Sequence, residues 1–85
     1  MNVELFSGPQ CSHCERAKTI LKTNNIDFTE YDIASDISNK EDLFSRVPNI
    51  RALPQLFIDG VHIGSVEDLE ICIEQGKFGK RGSHK

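Results

Sequence analysis

A strand-like segment, a helical segment and a second strand-like segment follow one another directly over residues 3–33. Val3–Ser7 is rich in strand-favouring residues and stops at Gly8-Pro9, and apolar residues at helical spacing follow from Ser12. Residues 26–33 then alternate apolar and polar side chains, as a half-buried strand does. Two strands joined through a helix pair in parallel with a right-handed crossover, so the chain is predicted to adopt an α/β fold.

A second helix and a hairpin are predicted after these strands. Ser38 and Glu41 have the spacing of a capping box, so the helix is expected to begin near residue 39 and to end before Pro48. Asp59-Gly60 separates two short apolar runs, and this is the strongest short-range signal for a hairpin. The last two strands are therefore expected to be antiparallel.

The chain is predicted to form one domain followed by a short tail. Ser65 is expected to cap a last amphipathic helix that closes at Gly76. The predicted order is β-α-β-α-β-β-α, which makes a four-stranded mixed sheet with helices on its faces. A chain of 85 residues supports only one core, so residues 1–76 are assigned to the domain and 77–85 to a basic C-terminal tail.

The charge distribution argues against a nucleic-acid partner. Residues 1–76 carry all 13 Asp and Glu residues and only six Lys and Arg residues. The last nine residues add four positive charges, so the net charge of the chain is −3. An acidic body with a short basic end does not predict nucleic-acid binding.

No segment approaches the ~20 apolar residues of a membrane span, and no signal peptide is recognised. We therefore expect a cytoplasmic monomer with no membrane partner.

The sequence Cys11-Ser-His-Cys14 lies where the first strand leads into the first helix. The start of a helix offers unpaired N–H groups and a partial positive charge, which favour a thiolate at Cys11. Positive charge on His13 and Arg16 is predicted to stabilise this thiolate further. Cys11 is therefore the candidate nucleophile, and Cys14, one helical turn later and more covered, is the candidate resolving thiol. Two cysteines at this spacing beside a βαβ unit predict a thioredoxin-like redox motif.

Structural roles for the cysteines are less favoured. A zinc site needs four ligands and generally a second local pair, and the remaining candidates, Cys72, His62 and His84, are isolated in the sequence. Cys72 falls on the apolar stripe of the last helix, where a free cysteine acts as a small hydrophobic residue. We therefore predict redox chemistry at the cysteine pair and no metal site.

Three linked motifs resemble the glutaredoxin family: Cys11-Ser-His-Cys14, Leu53–Gly60 and His62–Leu69, in that order and at that spacing. The resemblance covers residues 1 to about 76. It implies a thioredoxin fold, reduction of disulfide-containing proteins and of glutathione mixed disulfides, and regeneration by glutathione. It also implies that Pro54 is cis and that the backbone of Leu53 pairs with glutathione beside the nucleophile.

The same resemblance implies a glutathione site. His13 takes the position of the family tyrosine that flanks glutathione, and Val66 and Glu67 take the positions that bind its γ-glutamyl end. Free amides at a helix start suit a carboxylate on physical grounds as well. Arg51 is the expected partner of the glycine carboxylate.

Departures from the family pattern suggest two alternative functions. Many members carry a lysine where this chain has Gly8, and its absence suggests a redoxin charged by thioredoxin reductase, with ribonucleotide reductase as one expected substrate. Ala52 replaces a threonine and Ser65 replaces a glycine of the family pattern. Ser12 replaces the proline of the cysteine motif, and such motifs are in some members associated with a 2Fe–2S cluster shared by a dimer.

Overall fold

The computed structural model describes residues 2–50 and 52–76, so Arg51 and the predicted tail 77–85 lie outside the described residues. The predicted order of strands and helices is confirmed. The elements are β1 Val3–Ser7, α1 Ser12–Thr23, β2 Thr29–Asp32, α2 Ile37–Arg46, β3 Gln55–Ile58, β4 Val61–Gly64 and α3 Val66–Glu74.

The four strands form one mixed sheet in the order β2-β1-β3-β4. β1 pairs in parallel with β2, as the crossover through α1 predicts, and antiparallel with β3. β3 and β4 form the predicted antiparallel hairpin. At its turn Asp59 and Gly60 have φ values of 51° and 83°, the left-handed conformation that a type I′ turn requires. The carboxyl end of the central strand β1 therefore leads directly into the loop that carries Cys11.

Two apolar cores lie on opposite faces of the sheet, because successive side chains of a strand alternate between its faces. The core on the α1 and α3 face comprises Val3, Leu5, Ala17, Leu21, Leu56, Val66, Leu69 and Cys72. The core on the α2 face comprises Phe6, Leu43 and Phe57. The predictions of helices on both faces and of a buried Cys72 are confirmed.

Within the described ranges, no helix is both long and apolar enough to cross a membrane.

The predicted start of α2 near residue 39 is wrong by two residues. The helix begins at Ile37, and its N-cap is Asp36, whose Oδ1 accepts a hydrogen bond from the Ser38 N–H at 2.9 Å. Aspartate is as good an N-cap as serine, so the capping-box spacing of Ser38 and Glu41 selected the wrong one of two nearby candidates. The predicted end before Pro48 is confirmed.

The second strand is shorter than the alternation over residues 26–33 predicts. β2 covers only Thr29–Asp32, and its pairing with β1 begins at Thr29. The Ile26 N–H instead donates to the Leu21 carbonyl at 2.9 Å, in the connection that follows α1. Ile26 and Phe28 still pack against the α1 and α3 core, which explains why the alternation continues outside the strand.

An ion pair joins a buried carboxylate of β1 to an exposed arginine of α2. Glu4, in the middle of β1, is only 8% exposed, and the Arg46 guanidinium donates to its two carboxylate oxygens at 2.8 and 3.3 Å. The same guanidinium lies 5.5 and 4.9 Å from the ring centroids of Phe6 and Phe57. Arg46 thus covers the two rings and neutralises the buried carboxylate.

Candidate active site

Cys11 occupies the N-cap position of α1. Its backbone is extended, with φ −112° and ψ 103°, and its Sγ accepts a hydrogen bond from the Cys14 N–H at 3.2 Å. The chain reaches this position through a turn in which Gln10 has a φ of 53°. The Cys11 sulfur therefore faces the free N–H groups and the positive end of the dipole of α1.

The loop before β3 lies against Cys11, although the two segments are 42 residues apart in sequence. The Leu53 carbonyl accepts a hydrogen bond from the Cys11 thiol at 3.8 Å. The Leu53–Pro54 peptide bond is cis, as the family resemblance implies, and Pro54 is buried. The partly exposed Cys11 thiol therefore sits between a helix start and a backbone segment.

Cys14 is almost completely covered. Its exposed fraction is 1%, and burial, together with the hydrogen bond to Cys11, raises its pKa from 9.0 to about 12. The Gly8 backbone and the Lys18 ammonium act in the opposite direction but do not offset the burial. A protonated, covered thiol beside Cys11 does not react with bulk disulfides, but it is close enough to Cys11 to attack the Cys11 sulfur of a mixed disulfide.

The three thiols should differ sharply in reactivity. Burial of Cys14 raises its pKa to about 12, which keeps this thiol protonated at pH 8, and Cys72 is 8% exposed. Iodoacetamide should therefore modify one thiol per chain, at Cys11, when the mass of the native protein is followed with time. The same reagent in guanidinium chloride should modify three. Rapid modification of two native thiols would contradict the assigned burial of Cys14.

The starts of α1 and α3 lie close to each other beside this pair. His13 is exposed on α1 and Glu67 is exposed at the start of α3. The Ser65 hydroxyl, which donates to Glu67 Oε1 at 2.9 Å, lowers the pKa of Glu67, and the charges of His13 and Arg16 lower it further. The structure therefore brings the predicted residues His13 and Glu67 near each other, at the starts of α1 and α3.

The remaining residues predicted near the thiol or the glutathione site are Val66, Arg51 and Arg16, and the structure gives each a different environment. The Val66 side chain is 1% exposed and belongs to the core, so only its backbone is available to a ligand. Arg51 lies outside the described residues. Arg16, predicted to support the thiolate, has its guanidinium 2.7 Å from the Glu70 carboxylate and thus links α1 to α3. Asp68 accepts a hydrogen bond from the Ser65 N–H at 3.0 Å and so caps α3.

Gly8 lies close to the Leu53 side chain, a contact that the sequence pattern did not predict. A Cβ built on Gly8 would lie 2.7 Å from Leu53 Cδ1 and 3.9 Å from Ile33 Cγ1. A side chain at position 8 would therefore first meet the end of the Leu53 side chain, which would have to shift. In the sequence, a glycine at a position where many family members have lysine shows that a positive charge is missing. It does not show that the Leu53 side chain lies beside this position.

The geometry of the cysteine pair defines the class of protein. A βαβ unit that presents Cys-x-x-Cys at a helix start, opposite a cis-proline loop, is a thioredoxin-type thiol-disulfide oxidoreductase site. Residues 3–63 match the family model described as Glutaredoxin. This match covers well over half of the chain, so the chain belongs to the glutaredoxin family.

Relatives and solved structures agree with this membership. The chain is 36% identical over 76 residues to a protein of Synechocystis described as a probable glutaredoxin, covering 89% of this chain and 86% of that protein. It is 35% identical over 68 residues to glutaredoxin 3 of Escherichia coli strain K12, covering 80% and 81%. The solution structure of reduced Escherichia coli glutaredoxin aligns with a TM-score of 0.75 at 25% identity, covering 93% of this chain and 100% of that one. The family and the fold support a thiol-disulfide oxidoreductase.

Proposed function

We propose that the protein is a glutathione-dependent oxidoreductase of the cytoplasm that reduces protein disulfides and glutathione mixed disulfides. Cys11 is the nucleophile and Cys14 the resolving thiol. The observation that carries this proposal is the contrast between the two sulfurs. Cys11 is partly exposed on the free amides of a helix start, whereas Cys14 is covered and has a pKa of about 12.

The first step takes place at Cys11 alone. Its thiolate attacks one sulfur of a substrate R–S–S–R′, the substrate S–S bond breaks, and R′–S⁻ leaves and takes a proton from water. The product is a mixed disulfide between Cys11 and R. The Cys14 N–H, 3.2 Å from the Cys11 sulfur, stabilises the attacking thiolate in this step.

The second step releases the substrate. Cys14 attacks the Cys11 sulfur of the mixed disulfide, a Cys11–Cys14 disulfide forms, and R–S⁻ leaves with the proton that Cys14 gives up. Two electrons have then passed from the cysteine pair to the substrate. Two molecules of glutathione restore the two thiols and become glutathione disulfide, which closes the cycle.

The neighbourhood of the thiol supports glutathione as the reductant. A bound glutathione cysteine would lie along the Leu53 backbone, with its γ-glutamyl carboxylate at the backbone amides of Val66 and Glu67. His13 would flank the peptide from α1. Glu67, whose carboxylate is held in the charged form by its lowered pKa, is available to the γ-glutamyl ammonium.

The proposal is tested by coupling the protein to glutathione, glutathione reductase and NADPH with a cysteine–glutathione mixed disulfide as substrate. We expect NADPH oxidation that depends on the protein. The matched control replaces glutathione and its reductase by thioredoxin reductase. Turnover with thioredoxin reductase and none with glutathione would overturn the glutathione dependence and support the alternative redoxin.

The alternative redoxin has one structural observation in its favour. With Leu53 occupying the space beside Gly8, the site is more apolar here than a site that carries the family lysine. A glutathione carboxylate is thereby deprived of one cation, which favours a protein reductant such as thioredoxin reductase. Ribonucleotide reductase remains one expected disulfide substrate under either reductant.

The shared 2Fe–2S cluster does not fit the donors of one chain. Such a cluster takes four ligands, whereas this chain offers one partly exposed thiol, Cys11, because Cys14 is covered. Among residues 2–50 and 52–76, no group of three or more His, Cys, Asp and Glu side chains is arranged to hold a metal ion. A cluster shared by a dimer would instead take Cys11 of each of two copies and two glutathione thiols as its four ligands, and the reaction proposed above does not need it.

A further inference from the structure

Three polar side chains join α1 to the two parallel strands of the sheet. The Lys18 ammonium of α1 donates to Glu30 Oε2 of β2 at 3.1 Å, and the Ser7 hydroxyl of β1 donates to the same oxygen at 2.7 Å. We call these three residues the Lys18 network. β2 and β3 flank β1 on opposite sides, so the network lies on the side of β1 away from β3 and the Leu53 loop before it.

Cys14 borders this network. Lys18 follows Cys14 by four residues on α1, and side chains at this spacing are neighbours on one face of a helix, with Cβ atoms about 5–6 Å apart. The Lys18 charge acts to lower the pKa of Cys14, as does the backbone of Gly8, which follows Ser7 in the chain. A cation is therefore close to a thiol that is only 1% exposed.

The Lys18 ammonium is held in place and kept charged. It lies 3.1 Å from the Glu30 carboxylate and 2.8 Å from the Glu15 carboxylate, and hydrogen bonds to both raise its pKa. The Ser7 hydroxyl, on a residue that is 2% exposed, lowers the pKa of Glu30 and so keeps that carboxylate ionised. The Lys18 side chain is 20% exposed, less than the side chain of either acid. The ammonium is thus a fixed positive charge at one side of Cys14.

The second step of the proposed reaction needs negative charge on Cys14. As this thiol attacks, its S–H bond breaks, and charge develops on the Cys14 sulfur before the new S–S bond is complete. Burial opposes this charge and is the largest cause that raises the pKa of Cys14 to about 12. A nearby cation offsets part of the cost, because charges interact more strongly where water is excluded.

We propose that Lys18 assists the resolving thiol: its ammonium, which Glu30 holds in place, stabilises the negative charge on the Cys14 sulfur as that sulfur attacks the mixed disulfide. The inference rests on the proposed function, which supplies that mixed disulfide. In this step the Cys11–Cys14 S–S bond forms, the bond between Cys11 and the substrate sulfur breaks, and the departing thiolate takes the proton of Cys14. Lys18 keeps its own proton and acts through Cys14, so it is a positioning residue.

The test measures the two steps separately in one reaction. Chemically reduced protein is mixed at pH 6 with excess 2-hydroxyethyl disulfide, the reaction is stopped with acid at intervals, and mass spectrometry separates reduced protein, mixed disulfide and oxidised protein. Excess substrate accelerates only the first step, and a thiol with a pKa of about 12 is protonated at pH 6, so the mixed disulfide accumulates. Its formation reports the first step at Cys11, and its decay reports the attack by Cys14.

Lys18→Met should slow the decay of the mixed disulfide about fivefold. Without the cation a smaller fraction of Cys14 is thiolate, and the higher nucleophilicity of a more basic sulfur recovers only part of that loss. Formation of the mixed disulfide should keep the wild-type rate, because Cys11 lies seven residues before Lys18, about two helical turns away. Lys18→Arg should restore most of the decay rate, since it keeps the positive charge.

Lys22→Met is the matched control. It removes the same charge from the same helix, but Lys22 is exposed and lies one turn farther from Cys14, so both steps should keep the wild-type rate. Equal decay in wild type and Lys18→Met, equal slowing in Lys22→Met, or no rescue by Lys18→Arg would overturn the role of Lys18 alone. If circular dichroism shows that Lys18→Met is unfolded, Lys18→Gln serves in its place. A wild-type protein that forms no mixed disulfide at Cys11 would overturn the proposed function as well.

Discussion

Replacing Cys11 by serine should lower the rate of disulfide reduction by about a thousandfold or more, because a hydroxyl group is a far weaker nucleophile than a thiolate at neutral pH. Protein disulfides and glutathione mixed disulfides should be affected alike, since both are proposed to react first at this sulfur. The hydrogen bond from the Cys14 N–H and the partial exposure of Cys11 leave this thiol as the entry point. The measurement is the initial rate with each substrate class.

Cys14→Ser is the matched variant. It should keep glutathione-dependent turnover of a small mixed disulfide and lose only the reduction of protein disulfides, because Cys14 is proposed to act in the second step. Cys72→Ala, a substitution in the core on the α1 and α3 face, should leave both reactions at the wild-type level in folded protein. A Cys14→Ser protein as inactive as Cys11→Ser on both substrates would contradict the division of roles.

Removing the Arg46 side chain should lower the free energy of unfolding by about 2–4 kcal/mol. Glu4 has a side chain that is 10% exposed, and its carboxylate would lose both hydrogen bonds from the guanidinium. The rings of Phe6 and Phe57 would also lose the guanidinium that lies 5.5 and 4.9 Å from their centroids. Urea unfolding followed by far-ultraviolet circular dichroism measures the change.

A second ion pair provides the control for this effect. Arg16 and Glu70 lie 2.7 Å apart, but their side chains are 55% and 38% exposed, so Arg16→Ala should cost less than about 1 kcal/mol. Arg46→Lys should fall between the two alanine variants, because an ammonium keeps the charge but cannot donate in the same forked geometry or stack on the rings. Equal losses for Arg16→Ala and Arg46→Ala would show that burial of Glu4 contributes nothing measurable.

Much of the fold could be predicted because its signals are local. The β1 run, the helical stripe of α1 and the Asp59-Gly60 turn each depend on residues within a few positions of one another. Errors arose where two local signals competed or where a partner decided the outcome. Asp36 and Ser38 are equally good caps, and the alternation through residues 26–33 does not show that pairing with β1 starts only at Thr29.

The candidate site was predictable in part. The motif spacing identified Cys11 and Cys14, and the helix start gave a physical reason for their different roles. The Glu4–Arg46 ion pair, in contrast, joins residues 42 positions apart, and no local pattern marks a single acid in a strand as buried.

The sequence by itself determined the order of the elements, the cysteine pair at the start of α1 and the family to which the pair belongs. Only the tertiary structure decided what surrounds the pair: the Leu53 carbonyl at 3.8 Å from Cys11, the burial that raises the pKa of Cys14 to about 12, and the Leu53 side chain in the space beside Gly8. Periodicity and capping act between neighbours in sequence. Burial, solvation and close contact depend on segments that meet only after the sheet has formed.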